Sequence, residues 1–507
     1  MQKQLSSHDE PGRPMDIRTD PTPQPRLSEA DIKSIITGIM LAMFLAALDQ
    51  TIVATAMPTI GRELNDTTHL PWVVTAYLLA STAVTPLYGK LADIHGRRVV
   101  LLSGIVIFVV GSIACALASS MPLLIVARFV QGLGGGGLIA LVQTIVADMV
   151  PPRERGKYQV YIASVFFSAS VLGPVLGGLI AEALHWSVIF WINLPLGLAA
   201  YWLTSSTLKR LPRYERPHKL DILGAVLMTL STVSLLLALS WGGTRYPWAS
   251  LPIGALLAAF VLLGLAFGWR LRTAAEPMIP LSILANPVVR MGTLAACFGM
   301  GTFIGLTIYL PLYFETVAGL SAAHSGLGLL PLTCGTVIGA TSSGRAMAKM
   351  TNYKRVPMIG LALALVGTVF LVAGAGTLSL WQFLLLLGVI STGFGSLLPI
   401  CTVSIQNAVL QHEIGTATAV ANFFRQIGGA LIVAIYGAIV LGGVGGGVGQ
   451  SHEAIQIGQV DRDVMITLFR YVFAATFFGF ALAYVFLARM RQLPLRSSMA
   501  AQAAHAE

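Results

Sequence analysis

Charge is what this chain is short of. Only 11% of its 507 residues are charged, against about 25% in an ordinary soluble domain, while 55% are hydrophobic. So little charge cannot cover several soluble domains, which excludes a soluble multidomain enzyme. Cysteine is scarce as well. The four, Cys115, Cys297, Cys334 and Cys401, fall inside apolar runs with no pairing or ligand spacing, so they read as small apolar residues and no metal site is expected. A P-loop, a Cys/His cluster and a nucleophile beside a base are all missing, so ATP-driven transport and hydrolytic chemistry lack the residues they need. No enzymatic activity and no cofactor are expected. The first 33 residues contain PGRPMDIRTDPTPQPR in place of the apolar core of a signal peptide, and read as a disordered, uncleaved tail.

What the chain has instead is apolar runs of about 20 residues, the length that crosses a bilayer core of roughly 30 Å. They recur at 34–58, 72–88, 99–118, 122–149, 158–181, 187–206, 220–241, 251–269, 291–314, 324–344, 356–375, 380–407, 417–441 and 465–488. The expectation is an all-α polytopic membrane protein with fourteen spans and both termini on one side. The basic residues test this alternation. With the N-terminus taken as cytoplasmic, 26 of the 32 Lys and Arg fall on cytoplasmic connections and tails, and only Arg62, Arg245 and Arg462 on the opposite ones. That asymmetry is the positive-inside pattern. It accounts for the net charge of +10 through the lipid bilayer, with no need of nucleic acid.

Internal duplication is visible in outline. GKLADIHGRR (89–98) follows the second span, and Gly344-Arg345 through Lys354-Arg355 follows the tenth; Gly132 and Gly134 in span 4 are echoed by Gly393 and Gly395 in span 12. The expected organisation is a tail (1–33), a six-helix bundle (34–206), a linker with two extra spans (207–290), a second six-helix bundle (291–488) and a tail (489–507). Repeated halves are a transporter signature.

Few residues within these spans carry chemistry. Asp49, in LAALDQTIVATAMP, stands nine residues before Pro58, roughly 13 Å inside the outer end of its span. A carboxylate at that depth has to be protonated, paired or open to a water-filled cavity, which makes Asp49 the leading proton site, with a structural cap or pair as the alternative. Arg128, in ARFVQGLGGGG, stays charged and can tune a neighbouring carboxylate; its alternative is to snorkel to the interface. Arg425, in span 13, is a candidate cavity charge, and a counter-ion role is equally open. In the 89–98 loop, Asp93 and Arg97 can pair, with Asp148 as a second partner, forming a latch that breaks in another state. Gly173, Pro174, Gly177 and Gly178 in span 5 allow a bend or a close helix contact.

Four motifs in order carry a family resemblance. GKLADIHGRR, with Gly89, Asp93, Gly96, Arg97 and Arg98, RFVQGLGGG, with Arg128, Gln131, Gly132 and Gly134, LGPVLGG (172–178) and LDQTIVATAMP (48–58) resemble the signatures of the fourteen-span drug:proton antiporter branch of the major facilitator superfamily. The resemblance covers about residues 35–490. It implies export of small amphipathic compounds in exchange for protons across the cytoplasmic (inner) membrane, by rocking of two bundles about a central cavity. In that reading Asp49 takes the proton, Arg128 tunes it, Gly173–Gly178 seals the cytoplasmic-side path, and Asp93, Arg97 and Asp148 latch the closed side. Departures are Trp186-Ser187-Val188, where the branch usually has an Arg between two aromatic residues, and the absence of an acidic residue from span 10, which argues against strict dication specificity. A single-metabolite transporter, for a sugar or siderophore, is the alternative. A periplasmic adaptor is an open partner in a double-membraned host.

Overall fold

The computed structural model describes residues 29–66, 68–210, 220–444 and 461–496. In hydrocarbon, backbone N–H and C=O groups must be satisfied within their own segment, which favours helices. Among the described residues there is no β-strand, only an isolated bridge between Gly242 and Tyr246. The first half of the chain forms α1 (Glu29–Glu63), α2 (Pro71–His95), α3 (Arg97–Ala116), α4 (Met121–Gly135), α5 (Leu138–Met149), α6 (Arg155–Ala183), α7 (Val188–Trp191) and α8 (Asn193–Thr207). Next come α9 (Ile222–Trp241), α10 (Leu251–Thr273) and α11 (Leu281–Ala285). The remainder forms α12 (Pro287–Thr316), α13 (Ala322–Leu327), α14 (Leu330–Lys349), α15 (Arg355–Gly374), α16 (Leu380–Asn407), α17 (Ile414–Val444) and α18 (Arg462–Arg489).

Helix starts follow local chemistry. Proline occupies the first turn of α2, α4, α10, α12 and α14, where its missing N–H is no loss. Asp221, Asn286 and Ser379 accept hydrogen bonds from the first turns of α9, α12 and α16, and Ser379 with Gln382 completes a capping box.

Among the described residues, twelve helical segments are long and apolar enough to cross a membrane, with α4–α5 and α7–α8 each forming one of them. Helices α2 and α14, of 25 and 20 residues, stand at the expected second and tenth spans but outside that set. Helix α14 is diluted by Gly and Ser that face other helices, such as Gly335, Gly344 and Ser343, and by Thr333 and Thr336, which line the central cavity. A Cβ on Gly335 would lie 2.6 Å from Gly388 O, and one on Gly344 2.6 Å from Gly156 O.

Boundaries differ from expectation in several places: α2 runs on to His95, so the 89–98 loop is helical but for the turn at Gly96, and the 324–344 span is split into α13 and an α14 that runs from Leu330 to Lys349. Helix α1 starts at Glu29 and runs through Pro58 to Glu63, so Asp49 lies about 21 Å from its C-terminal end rather than 13 Å. The 122–149 span divides at Gly136-Gly137, where Gly136 rests on the Ser81 backbone and Gly137 on the Tyr88 ring. The 187–206 span divides into α7 and α8 just before Asn193. Residues 1–28 and 497–507 of the expected tails, and 211–219 of the linker, lie outside the described residues.

Buried apolar side chains between 35 and 208 form two main clusters, and those between 288 and 490 form a larger third one. Helices α9 and α10 meet this body through Ala225, Met228 and Leu271, which pack with Val420 of α17. The basic connections are joined at one end of the molecule. Arg98 donates to Ser205 O, Arg153 to Ala348 O, Lys354 to Met490 O, and Ser282 to Glu413. At the other end Glu63 meets His185 at 3.2 Å, and Arg462 donates to Val317 O. The first of these is called the basic end below.

Candidate functional site

A cavity of about 2650 Å³ occupies the centre of the molecule. Helices α1, α2, α5 and α6 wall one side, and α12, α14, α16 and α17 the other. Apolar residues such as Phe166, Phe303 and Leu398 dominate the walls, and the lining continues to Thr244, Trp248 and Leu327 at the end away from the basic loops.

Beside this cavity the structure brings Asp49 and Arg128 together. Arg128 Nη1 donates to Asp49 Oδ2 at 2.6 Å, and the two side chains are 1% and 0% exposed, so the pair is shut off from bulk water. Asp49 Oδ1 accepts from Gln131 Nε2 at 2.8 Å and from Asn193 Nδ2 at 2.9 Å. Both amides also donate to Ser112 Oγ, at 2.7 and 3.1 Å. Arg128 is held in turn by Val73 O, by Gln131 Oε1 and by the Tyr77 ring, which lies 4.4 Å from the guanidinium carbon. Arg128 therefore does not snorkel. It shares a network in which each carboxylate oxygen has a donor, the condition for keeping a buried ion pair.

The sequence assigned no role to three hydrogen-bonding members of this network, of which Gln131 was named only within the RFVQGLGGG motif. Gln131 stands three residues after Arg128, on the same helical face, so its role could have been read from spacing. Ser112 and Asn193 are single neutral polar residues in apolar runs and gave no such signal. Arg128 and Tyr77 line the cavity, whereas Asp49 lies directly behind them.

The basic end is closed by a second set of contacts. Arg97 pairs with Asp93 and donates through Nε to Asp148 Oδ2 at 2.9 Å. Asp93 Oδ2 also accepts from Thr416 N at 2.8 Å and Thr416 Oγ1 at 2.6 Å, in the first turn of α17, so the expected pair extends across to the other half of the chain. Gly89 packs on Gly415 and Ala419, and Gly96 has φ +86°, a conformation that disfavours any side chain. Arg98 is not brought into this cluster; it ties α3 to Ser205. A further tie escaped the sequence, where Arg155 was only one more basic-loop charge. Its fully buried guanidinium donates to Ala147 O at 2.6 Å, to Val150 O at 2.8 Å and to Gln406 Oε1 of α16 at 3.4 Å.

The glycine segment of α6 packs within the first half. Gly173 rests on Thr51 and Gly177 on Thr55 and Ile52 of α1, Pro174 lines the cavity, and Gly178 has open space around it. Arg425 lines the cavity from α17, hydrogen-bonded to Asn422 and Gln143. Neutral side chains join the halves beside it: Thr82 donates to Gln426 at 2.7 Å and Asn422 to Gln143 at 2.9 Å.

Comparison with known proteins agrees with this architecture. The Major Facilitator Superfamily description matches residues 39–433. Multidrug transporter protein MdtP of Bacillus subtilis is 34% identical over 406 residues, 80% of this chain and 75% of that protein. Multidrug resistance protein 3 of the same organism is also 34% identical, over 81% of this chain and 80% of its own length. An uncharacterized MFS-type transporter of Mycobacterium tuberculosis is 36% identical over 82% of this chain, and the match spans only 60% of that longer relative. Among solved structures, a bacterial homologue of the iron transporter ferroportin in an outward-facing state superposes with a TM-score of 0.63 at 13% identity, covering 90% of this chain and 99% of that one. The human organic anion transporter MFSD10 gives 0.61 at 15% identity, covering 88% and 99%. By the length of the family match and by its helical architecture, the chain belongs to the Major Facilitator Superfamily of transporters.

Proposed function

We propose that this chain is a proton-coupled antiporter that exports amphipathic compounds across the cytoplasmic membrane by alternating access. Counting α2 and α14 gives fourteen spans, arranged as bundles 34–206 and 291–488 with α9 and α10 between them and both termini cytoplasmic. The observation that carries the reading is the buried Asp49–Arg128 pair at the wall of a cavity large enough for a drug-sized molecule, with Arg128 lining it and Asp49 behind. Two relatives of this chain are named for multidrug transport, which supports the breadth of substrate.

In this reading the basic end is the cytoplasmic side, and the cavity faces outward with the cytoplasmic side latched. A proton arriving through the cavity reaches Asp49 and replaces Arg128 as the partner of its carboxylate. Arg128 keeps its charge throughout, so protonation leaves an unpaired guanidinium at the cavity wall. The protein relieves that cost by rearranging, which couples proton occupancy to the change of access. Opening the cytoplasmic side breaks the contacts of Asp93 with Thr416 and of Arg155 with Gln406. Gly173 and Gly177 keep α6 close to α1 while the bundle moves as a unit.

The test is transport in proteoliposomes holding the full chain, with a lipophilic fluorescent dye and an imposed pH gradient. Dye movement against its own gradient is expected only with the pH gradient, accompanied by counterflow of protons. Asp49→Asn is expected to abolish that proton movement while the protein remains folded in the membrane. Unchanged coupling in Asp49→Asn overturns the assignment, and dye movement indifferent to the pH gradient overturns antiport.

A further inference from the structure

The cavity holds one cation that the coupling pair does not use. Among the described residues its lining contains no Asp or Glu, and its two charged side chains are Arg128 and Arg425. Arg128 is neutralised by Asp49 at 2.6 Å. Arg425 has no carboxylate within ion-pair distance among the described residues. Its Nη2 donates to Asn422 Oδ1 and, at 3.4 Å, to Gln143 Oε1. Two neutral amide oxygens satisfy part of a fork with five N–H donors. They supply no countercharge to this half-buried guanidinium, which leaves it free to attract an anion that enters the cavity.

The surroundings say what would supply it. Phe303, Leu398 and Val433 line the same cavity as Arg425, so an occupant must offer apolar surface as well as negative charge. A guanidinium fork matches a carboxylate in two parallel hydrogen bonds, a geometry that a neutral or cationic group cannot reproduce. A cavity whose one uncompensated charge is positive also disfavours lipophilic cations.

From this we infer that Arg425 is the headgroup site for amphipathic carboxylates, with the apolar body of the substrate lying along the Phe303 and Leu398 walls. The inference rests on the export reading for its purpose but not for its test. Position gives the site a second consequence. Arg425 and Asn422 belong to α17, and Gln143 belongs to α5 in the other half of the chain. A carboxylate binding Arg425 competes with Gln143 for the guanidinium, so substrate loosens one of the contacts that join the halves.

The experiment is equilibrium binding to the purified full-length protein in detergent, with no gradient. The probes are dansyl-undecanoic acid, which carries a carboxylate, and its methyl ester, which has nearly the same shape and no charge. The wild type is expected to bind the acid about tenfold more tightly than the ester, the factor of one charge-assisted hydrogen-bond pair in a wet cavity. Arg425→Gln is expected to bring the acid-to-ester ratio to about one, and Arg425→Lys, a charge without the fork, to keep part of it. Equal affinities in the wild type overturn the inference, as does an Arg425→Gln variant that weakens acid and ester alike. The wild-type ratio decides the matter even where a variant fails to fold. Failure of proton-driven dye transport with an intact acid preference would instead remove the antiport reading and leave this site standing.

Discussion

Asp49 has three donors on its two oxygens, and they come from two other helices: Arg128 and Gln131 from α4, and Asn193 from the start of α8. Such a site is stable as a set and costly in part. Removing one member of a buried ion pair leaves the other charge uncompensated, at about 3–5 kcal/mol, whereas removing both is close to neutral. Arg128→Gln is therefore expected to lower the thermal unfolding midpoint of the detergent-solubilised protein, and Asp49→Asn combined with Arg128→Gln to restore most of it. A double variant no more stable than Arg128→Gln would show that the two charges do not stabilise each other. Asp49 and Arg128 were legible in the sequence because a charge in an apolar run is rare and has few explanations. Ser112 and Asn193 were not, because neutral polar residues are common in membrane helices and their meaning comes only from what the fold sets opposite them.

Among the elements, the helical, membrane-crossing character of the chain was written in hydropathy, with twelve spans among the described residues where fourteen were expected, and the structure joins the basic loops at one end. Which helices touch was not written there. The contact between α6 and α14 depends on Gly156 and Gly344 facing each other, a register that no local pattern fixes in a chain with 52 glycines. A Cβ on Gly156 would lie 2.7 Å from Gly344 O and 2.8 Å from Gly344 Cα, both backbone atoms that cannot step aside. Gly156→Val should therefore wedge these helices apart at the basic end and make that side more open. The check is alkylation, by a membrane-impermeant maleimide, of a cysteine placed at Thr402, which lines the cavity, in inside-out vesicles of a chain without other cysteines. Gly178→Ala is the control, since nothing lies within 4 Å of its added carbon. Equal labelling in the Gly156 variant and the control would show that this contact does not hold the end shut.

On the scale of the whole molecule, closure of the basic end is distributed over ties that cross between the halves: Asp93 with Thr416, Arg155 with Gln406, and Gly156 against Gly344. A transporter in this arrangement needs the sum of such ties to be small enough to be reversed within each cycle. Asp93 is the strongest single contributor, because its charge meets two donors in the first turn of α17 as well as Arg97. Hydrogen bonds to a charged group are worth about 1.5–3 kcal/mol each. Asp93→Asn keeps the side-chain shape and removes the charge, so it should move the balance toward a basic-end-open state by roughly tenfold or more. Spin labels at Lys157 and Lys349, both exposed at the basic end, would report this as a longer distance population. Labels at Glu182 and Leu327, exposed at the other end, should report a shorter one. The two changes have to appear together, because rigid halves rocking about a central cavity open one end only by closing the other. Lengthening at Lys157–Lys349 without shortening at Glu182–Leu327 would mean that Asp93→Asn frays the end of α2 and leaves the access state unchanged, and Asp93 would then be a local staple of the turn between α2 and α3.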